Sequence, residues 1–141
     1  MNYSRRDLSL LLPALLAPRA DGEGNILPSE CFAFNELPVK TNPQTHNESR
    51  QVLHGETHTG YPIDLHITRL APGQMPHPPH HHEHEEMMLI QEGMLEFTIA
   101  GVGKRIGPGS VAYVHSNEEH GLKNVGDVMA QYFVLAFGQM A

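Results

Sequence analysis

Cysteine is almost missing from this chain, which has Cys31 as its single cysteine. An intramolecular disulfide is therefore impossible, and zinc sites built on two or four cysteines are excluded. Basic residues are also few, 9 against 16 acidic residues, and no lysine or arginine cluster follows residue 20. Because a nucleic-acid backbone is bound by such clusters, we do not expect nucleic acid as a partner. A metal ion, if one binds, must use nitrogen and oxygen ligands.

A long hydrophobic run is missing as well. The apolar run at residues 8–17 has about ten residues, about half of what a membrane-spanning helix needs, so no stable membrane insertion is expected. Two arginines precede it in Ser4-Arg5-Arg6-Asp7-Leu8, which resembles the twin-arginine export consensus, and Ala17 and Ala20 are candidate cleavage positions. Residues 1–20 are therefore predicted to be an export signal. The alternative is an N-terminal amphipathic helix that docks on the domain or on a neighbouring subunit.

Cleavage would change the charge and the location of the protein. Removal of residues 1–20 takes away three basic residues and one acidic residue, which leaves 6 basic and 15 acidic residues and a net charge of −9. We expect a periplasmic or secreted protein if the signal is used, and a cytoplasmic one otherwise. Residues 21–28 are polar and glycine-rich and are predicted to be a linker. Residues 29–141 form the predicted domain.

The remaining chain is typical of a single globular domain made of many short elements. Its hydrophobic fraction is 40%, and its 13 glycines and 11 prolines are spread along the chain in turn-like contexts. Strands are predicted at residues 32–34, 51–53, 64–70, 87–90, 94–99, 110–114 and 128–137, the first two of them peripheral. Residues 87–90 and 94–99 are predicted to pair as a hairpin around Gly93. Short strands at nearly regular spacing indicate an all-β antiparallel sandwich or barrel.

Histidine is abundant, with 11 residues, and five of them lie between His77 and His84. His80 and His82 are two positions apart, so in an extended segment both side chains point to one face. Glu86 is close enough to reach the same side, and His120 comes from a separate strand. Three imidazoles and one carboxylate suit a single divalent ion of manganese, iron, nickel, copper or zinc, and leave coordination positions open for a substrate.

These residues resemble the two sequence motifs of the cupin superfamily. The first motif orders a glycine, two histidines one residue apart, a glutamate and another glycine, here Gly73, His80, His82, Glu86 and Gly93. The second motif begins with a glycine and ends in a histidine and an asparagine, here Gly109, His120 and Asn124. Gly73 lies one residue further from the histidines than usual, and His115 and Asn117 replace a proline and a glycine. The resemblance covers residues 63–137.

The resemblance implies a small single-domain cupin of the cupin-2 type. Its fold would be the double-stranded β-helix, a jelly-roll β-barrel, with an ion near one end. Carried over position by position, the metal ligands are His80, His82, Glu86 and His120. The reaction is not implied, because cupins include dioxygenases, decarboxylases, isomerases, lyases, storage proteins and sensor domains.

Other residues of the cluster are expected to have supporting roles. His81, His84, Glu83 and Glu85 are predicted to lie on the surface or beside the ligands. His66 and His77 are either proton carriers in the pocket or structural histidines. Asn124 is predicted to hold a loop near His120 through side-chain hydrogen bonds. Phe97, Tyr113, Tyr132 and Phe133 are candidate pocket walls, of which half must face outward. The methionines Met75, Met87, Met88 and Met94 are assigned to the core or pocket lining.

Three functional hypotheses follow. The favoured one is a metal-dependent enzyme, for example a dioxygenase, that acts on a small oxygen-bearing molecule, with Glu86 as its one candidate catalytic residue. The second is a non-catalytic module that binds a small molecule or a metal. The third is a cupin-type isomerase without metal, which the full ligand set disfavours. A homodimer is also expected, with residues 32–34 as the pairing edge strand.

Overall fold

The computed structural model describes residues 25–139. The predicted export signal, its cleavage positions and the first part of the linker lie outside these residues. Within residues 25–139, no helix is long and apolar enough to cross a membrane. Backbone hydrogen bonds join Asn25 and Leu27 to Glu56, so contacts with the domain begin before residue 29.

Nine strands and one short 3₁₀ helix, Phe34–Glu36, make up the described structure. The strands are β1 Lys40–Thr41, β2 Glu48–Glu56, β3 Pro62–Leu70, β4 Glu85–Glu92, β5 Leu95–Ile99, β6 Val102–Ile106, β7 Val111–Val114, β8 His120–Asn124 and β9 Ala130–Phe137. They form a six-stranded sheet in the order β1-β2-β3-β9-β4-β7 and a three-stranded sheet in the order β6-β5-β8. Every strand pair is antiparallel. The all-β jelly-roll prediction is confirmed.

The core fills the space between the two sheets. Alternation along the strands decides which side chains reach it: in β4, Met88 and Ile90 are buried while Leu89 is 41% exposed. The buried cluster consists of Leu70, Met88, Ile90, Leu95, Phe97, Ala112, Val114, Leu122, Ala130, Tyr132 and Val134. Phe97 and Tyr132 thus face inward, whereas Tyr113 is 49% exposed on the outer side.

The predicted hairpin around Gly93 is wrong. β4 pairs with β7 and β9, whereas β5 pairs with β6 and β8, so the two strands belong to different sheets. Gly93 has a φ of +80°, and a Cβ there would lie 2.7 Å from Ala130. The tight left-handed turn therefore carries the chain across the barrel instead of folding it back along β4.

The predicted peripheral strand at residues 32–34 is also wrong, and with it the proposed pairing edge. The backbone turns into the 3₁₀ helix at Phe34, where the amide of Leu37 bonds to the Phe34 carbonyl. The rings of Phe32 and Phe34 instead line a groove on the outer face of the large sheet, beside Ile67 and Phe133. Aromatic side chains here gain contacts by lying on a sheet face, which does not require an extended backbone.

Candidate metal centre

The segment between β3 and β4 carries the candidate ligands His80 and His82 and is fixed to β8 by its backbone. His80 and His120 exchange two backbone hydrogen bonds of 3.0 and 2.9 Å. The amide of Asn117 donates to the carbonyl of His82 over 2.7 Å. Gly121 allows the close approach, because a Cβ there would lie 3.0 Å from the Pro79 ring. Two parts of the chain that are about 40 residues apart are thereby brought together at one end of the barrel.

His80, His82 and His120 form one cluster. Each offers a ring nitrogen, and these three nitrogens lie within 4.8 Å of one another. The rings meet at centroid distances of 4.8 to 5.1 Å and are tilted or edge-on to one another, not stacked. Residues 81–84 are not in a strand, yet His80 and His82 still point to one side, as their spacing predicts.

In two of the rings, Nδ1 is hydrogen-bonded to a backbone carbonyl, which leaves Nε2 as the nitrogen that could bind a metal. Nδ1 of His82 donates to the carbonyl of His84 over 2.8 Å, and Nδ1 of His120 donates to the carbonyl of Glu118 over 2.9 Å. These bonds fix the tautomer in which Nε2 carries a free lone pair. Nε2 of both rings and Nδ1 of His80 are buried and have no hydrogen-bond partner among the residues that the structure describes.

Glu86 faces the same cluster from the start of β4. Its Oε1 lies 3.3 Å from Nε2 of His82, and its Oε2 lies 3.3 Å from Nε2 of His120. The carboxylate is only 12% exposed. All four residues that the cupin motifs select are thus neighbours in space, with the carboxylate between two of the imidazoles.

Protonation at this site follows from burial and mutual contact. Burial, with the neighbouring rings of His77, His120 and His82, lowers the pKa of His80 to about 4, so that ring is neutral at pH 7. Burial opposes ionisation of Glu86, but contacts with His120, His82 and His84 outweigh it and lower its pKa to about 2. Burial likewise opposes charge on His120, yet Glu86 and the Glu118 carbonyl raise its pKa. One carboxylate and at least one neutral imidazole are therefore ready to act as ligands.

A cavity of about 120 Å³ lies beside the cluster inside the barrel. Its lining combines the polar residues His66, Thr68, His77, Glu86, His120 and Tyr132 with the apolar residues Pro76, Met88, Gly121, Leu122 and Val134. Both histidines that the sequence suggested as proton carriers, His66 and His77, are on this wall. A space of this size admits only a small molecule or part of a larger one.

The other histidines of the run take different positions. His81 is exposed and belongs to neither of the two groups that have metal-binding geometry. His84 stacks on His82, with ring centroids 3.6 Å apart, and its Nε2 lies 3.3 Å from Oε1 of Glu86. It forms a second group of metal-binding geometry with His82 and Glu86. His84 is thus a direct neighbour of the Glu86 carboxylate.

Sequence reasoning did not single out Asp64, which hydrogen-bonds His66 on the cavity wall. A cue was present, since Asp64, His66 and Thr68 alternate along β3 and so share the inward face. Asn124 makes the predicted side-chain hydrogen bonds, but the loop that they hold follows β8, at the end of that strand away from His120. Asn124 is fully buried and bonds to the carbonyls of Leu70 and Val128 and to the amide of Gly126.

An antiparallel β-barrel with clustered histidines near one end defines the class of protein. Residues 66–136, just over half of the chain, match the family model for the cupin domain. The chain therefore belongs to the cupin family, and the resemblance seen in its motifs is confirmed. No curated protein matches it.

Solved structures show the same fold at low sequence identity. KdgF from Halomonas sp. has a TM-score of 0.65 at 16% identity, over 77% of this chain and 94% of that one. The polyketide cyclase RemF from Streptomyces resistomycificus has a TM-score of 0.65 at 16% identity, over 79% and 81%. A predicted oxalate decarboxylase from Thermotoga maritima has a TM-score of 0.64 at 19% identity, over 78% and 100%. At such identities the likeness concerns the fold alone.

Proposed function

We propose that His80, His82, Glu86 and His120 bind one divalent transition-metal ion and that the protein is a metal-dependent enzyme for a small oxygen-bearing organic molecule. One observation carries the proposal. Three buried imidazole nitrogens converge without hydrogen-bond partners among the described residues. Leaving buried polar atoms unpaired costs about 1–3 kcal/mol each, which a shared ion would recover.

The donor set fits such an ion. Three nitrogens and one carboxylate suit manganese, iron, nickel, copper or zinc, and a five- or six-coordinate ion would leave positions open to a ligand. When bound, the ion would polarise a ligand oxygen as a Lewis acid or exchange electrons with it. The protein holds His82 and His120 through their Nδ1 bonds and keeps Glu86 ionised. Ring orientation and carboxylate charge are thus set before a ligand arrives.

The cavity supports a small substrate. It measures about 120 Å³, and the side chains of Met88, Leu122 and Val134 form an apolar part of its wall. These groups limit the water beside the site and so strengthen electrostatic contacts within it. Proteins of this fold carry names as different as a polyketide cyclase and a predicted oxalate decarboxylase. The reaction therefore depends on the side chains around the cavity, not on the barrel.

We also propose that residues 1–20 direct the protein to the twin-arginine export pathway. The twin-arginine pathway carries folded proteins, so this chain would take up its ion in the cytoplasm, away from competing copper and zinc. The test replaces residues 1–20 with a signal that exports unfolded chains and compares the bound metal. We expect a different metal after the exchange, and an unchanged metal would remove the idea.

Metal content and turnover test the central proposal. The protein is purified from its native compartment, its metals are measured by mass spectrometry, and oxygen consumption and product formation are followed with phenolic, carboxylic and carbohydrate compounds. We expect about one ion per chain and turnover of at least one class. A protein without stoichiometric metal would contradict the metal site. Ligand-dependent stabilisation without turnover would indicate a binding module instead.

A further inference from the structure

One histidine that lines the cavity together with Glu86 and His120 is outside the proposed ligand set. His66 lies on β3, on the same inward face as Asp64 and Thr68, and its ring lines the cavity. Nδ1 of His66 is 3.0 Å from Oδ1 of Asp64. Because the ring has two nitrogens and one of them is held by the carboxylate, Nε2 is the nitrogen left for a ligand.

Asp64 is held in turn by the neighbouring strand. Its Oδ2 lies 3.0 Å from Nδ1 of His54 and 2.8 Å from Nε2 of Gln51, both on β2. The register of the β2–β3 pair shifts between Gln51 and Leu53, so His54 and not Leu53 stands opposite Asp64. This bulge places two polar side chains of β2 on one carboxylate.

Asp64 is ionised at neutral pH. Burial opposes its ionisation, but hydrogen bonds with His66, Gln51 and His54 outweigh burial and lower its pKa. An ionised carboxylate at Nδ1 fixes the tautomer of His66 with a lone pair on Nε2. From β9, the residues that face this ring are Val134, its partner in register, and Tyr132 on the cavity wall.

The other polar groups of the cavity are less suited to accept a proton. Burial raises the pKa of Tyr132 far above neutrality, so its hydroxyl stays protonated. Glu86 is in contact with three histidine nitrogens, those of His82, His84 and His120. Nδ1 of His77 is 3.1 Å from the carbonyl of the next residue, and its ring is exposed. His66 alone among these groups combines a carboxylate partner with a free nitrogen.

We propose that His66, oriented by Asp64, accepts the proton of an acidic O–H group, hydroxamic, enolic or phenolic, on the molecule bound in the cavity. The O–H bond breaks, its electron pair stays on the oxygen, and the Nε2 lone pair forms the new N–H bond. The oxygen becomes anionic and the ring cationic beside Asp64, so no oxidant or reductant is needed. The proposal rests on the proposed function, because the ion is what holds this oxygen in the cavity.

Proton counting tests this role without a known substrate. Acetohydroxamic acid is a small chelator with one acidic O–H group, and its binding to the metal-loaded protein is measured by titration calorimetry in two buffers of different ionisation enthalpy. The wild type should release about one proton fewer to the buffer than His66→Gln, since one imidazole retains it. Asp64→Asn, which leaves the ring in place without its charged partner, should move the count in the same direction. His58→Gln, an exposed histidine in the turn after β2, is the matched control and should keep the wild-type count.

Each of the other outcomes contradicts the proposal and shows which of its assumptions is wrong. Equal proton release in wild type and His66→Gln, with metal content unchanged, refutes the role of His66 and leaves the metal site standing. Loss of the ion in His66→Gln makes His66 a ligand, which also refutes the proposal. A wild type that holds the ion but does not bind acetohydroxamic acid excludes such a ligand from the cavity. A wild type without an ion defeats the proposed function and this inference together.

Discussion

Replacing His82 with alanine should abolish high-affinity metal binding and leave the barrel folded. The change removes one of three converging imidazole nitrogens. It also removes the hydrogen bond from Nδ1 to the His84 carbonyl. The apolar core contains neither residue, so packing between the sheets stays intact. Without metal, the variant should lose only about 1–2 kcal/mol of stability, the value of one hydrogen bond with its local packing.

The wild type and His82→Ala should differ much more in the stabilisation that added metal gives. An ion at about 100 times its dissociation constant stabilises the folded state by about 2.7 kcal/mol. For a domain of this size that corresponds to a rise in melting temperature of about 10 °C. If loss of one ligand weakens binding about 100-fold, the same ion concentration contributes only about 0.4 kcal/mol. The expected rise then falls to roughly 1–2 °C.

Thermal unfolding, with and without added zinc or manganese, measures this difference. His81→Ala is the matched control, because His81 is the exposed neighbour in the same segment and should keep the full metal-dependent rise. Mass spectrometry of the same samples gives the ion content. An equal metal-dependent rise in His82→Ala and the wild type would refute the assignment of His82 as a ligand. Unfolding of metal-free His82→Ala would refute the independence of core and site.

Three further predictions concern the frame of the site, and urea unfolding measures all of them. Asn124→Ala should destabilise by about 3–4 kcal/mol, because three hydrogen bonds of a fully buried side chain are lost, and a smaller loss would show that water replaces them. Gly93→Ala should cost about 2–4 kcal/mol, since a Cβ would lie 2.7 Å from β9 at a φ of +80°. Gly101→Ala, at a φ of +78° with open space around it, should cost only about 1–2 kcal/mol, and equal losses would refute the steric argument. Stability should fall as the pH drops from 5 to 3. Burial opposes the ionisation of Glu48, but Arg50 and Arg69 outweigh it and lower its pKa, as the hydrogen bonds described above do for Asp64. The ionised carboxylates stabilise the fold fully above the ordinary carboxyl pKa of about 4, and this stabilisation is lost as each carboxylate gains a proton. Glu48→Gln should therefore show a smaller fall in the free energy of unfolding between pH 5 and pH 3.

The shared orientation of His80 and His82 could be predicted from the sequence because it follows from local geometry. Two histidines separated by one residue share a face when the chain is extended. His120 was found through the motif and not through geometry, since no local rule predicts which distant strand will face His80. The fold class followed in the same way from short strands and frequent turns.

Connections between distant elements were the part that sequence patterns missed. The hairpin expected around Gly93 looked favourable locally, but β5 buries its apolar face against β6 and β8 in the other sheet. Residues 32–34 alternate like a strand, yet their rings lie on the sheet surface. In both cases the local pattern was compatible with more than one tertiary arrangement, and burial chose between them.

The sequence by itself limits the donor atoms of any metal site to nitrogen and oxygen, because the chain has a single cysteine and many histidines. Only the tertiary structure decided how that site is completed. The backbone pairing of His80 with His120, the hydrogen bonds from His54 and Gln51 to Asp64, and the small cavity depend on pairings between separate strands and on a bulge in β2. The alternation of side chains is a local property of the backbone, whereas register and bulges are set by the packing of the whole barrel.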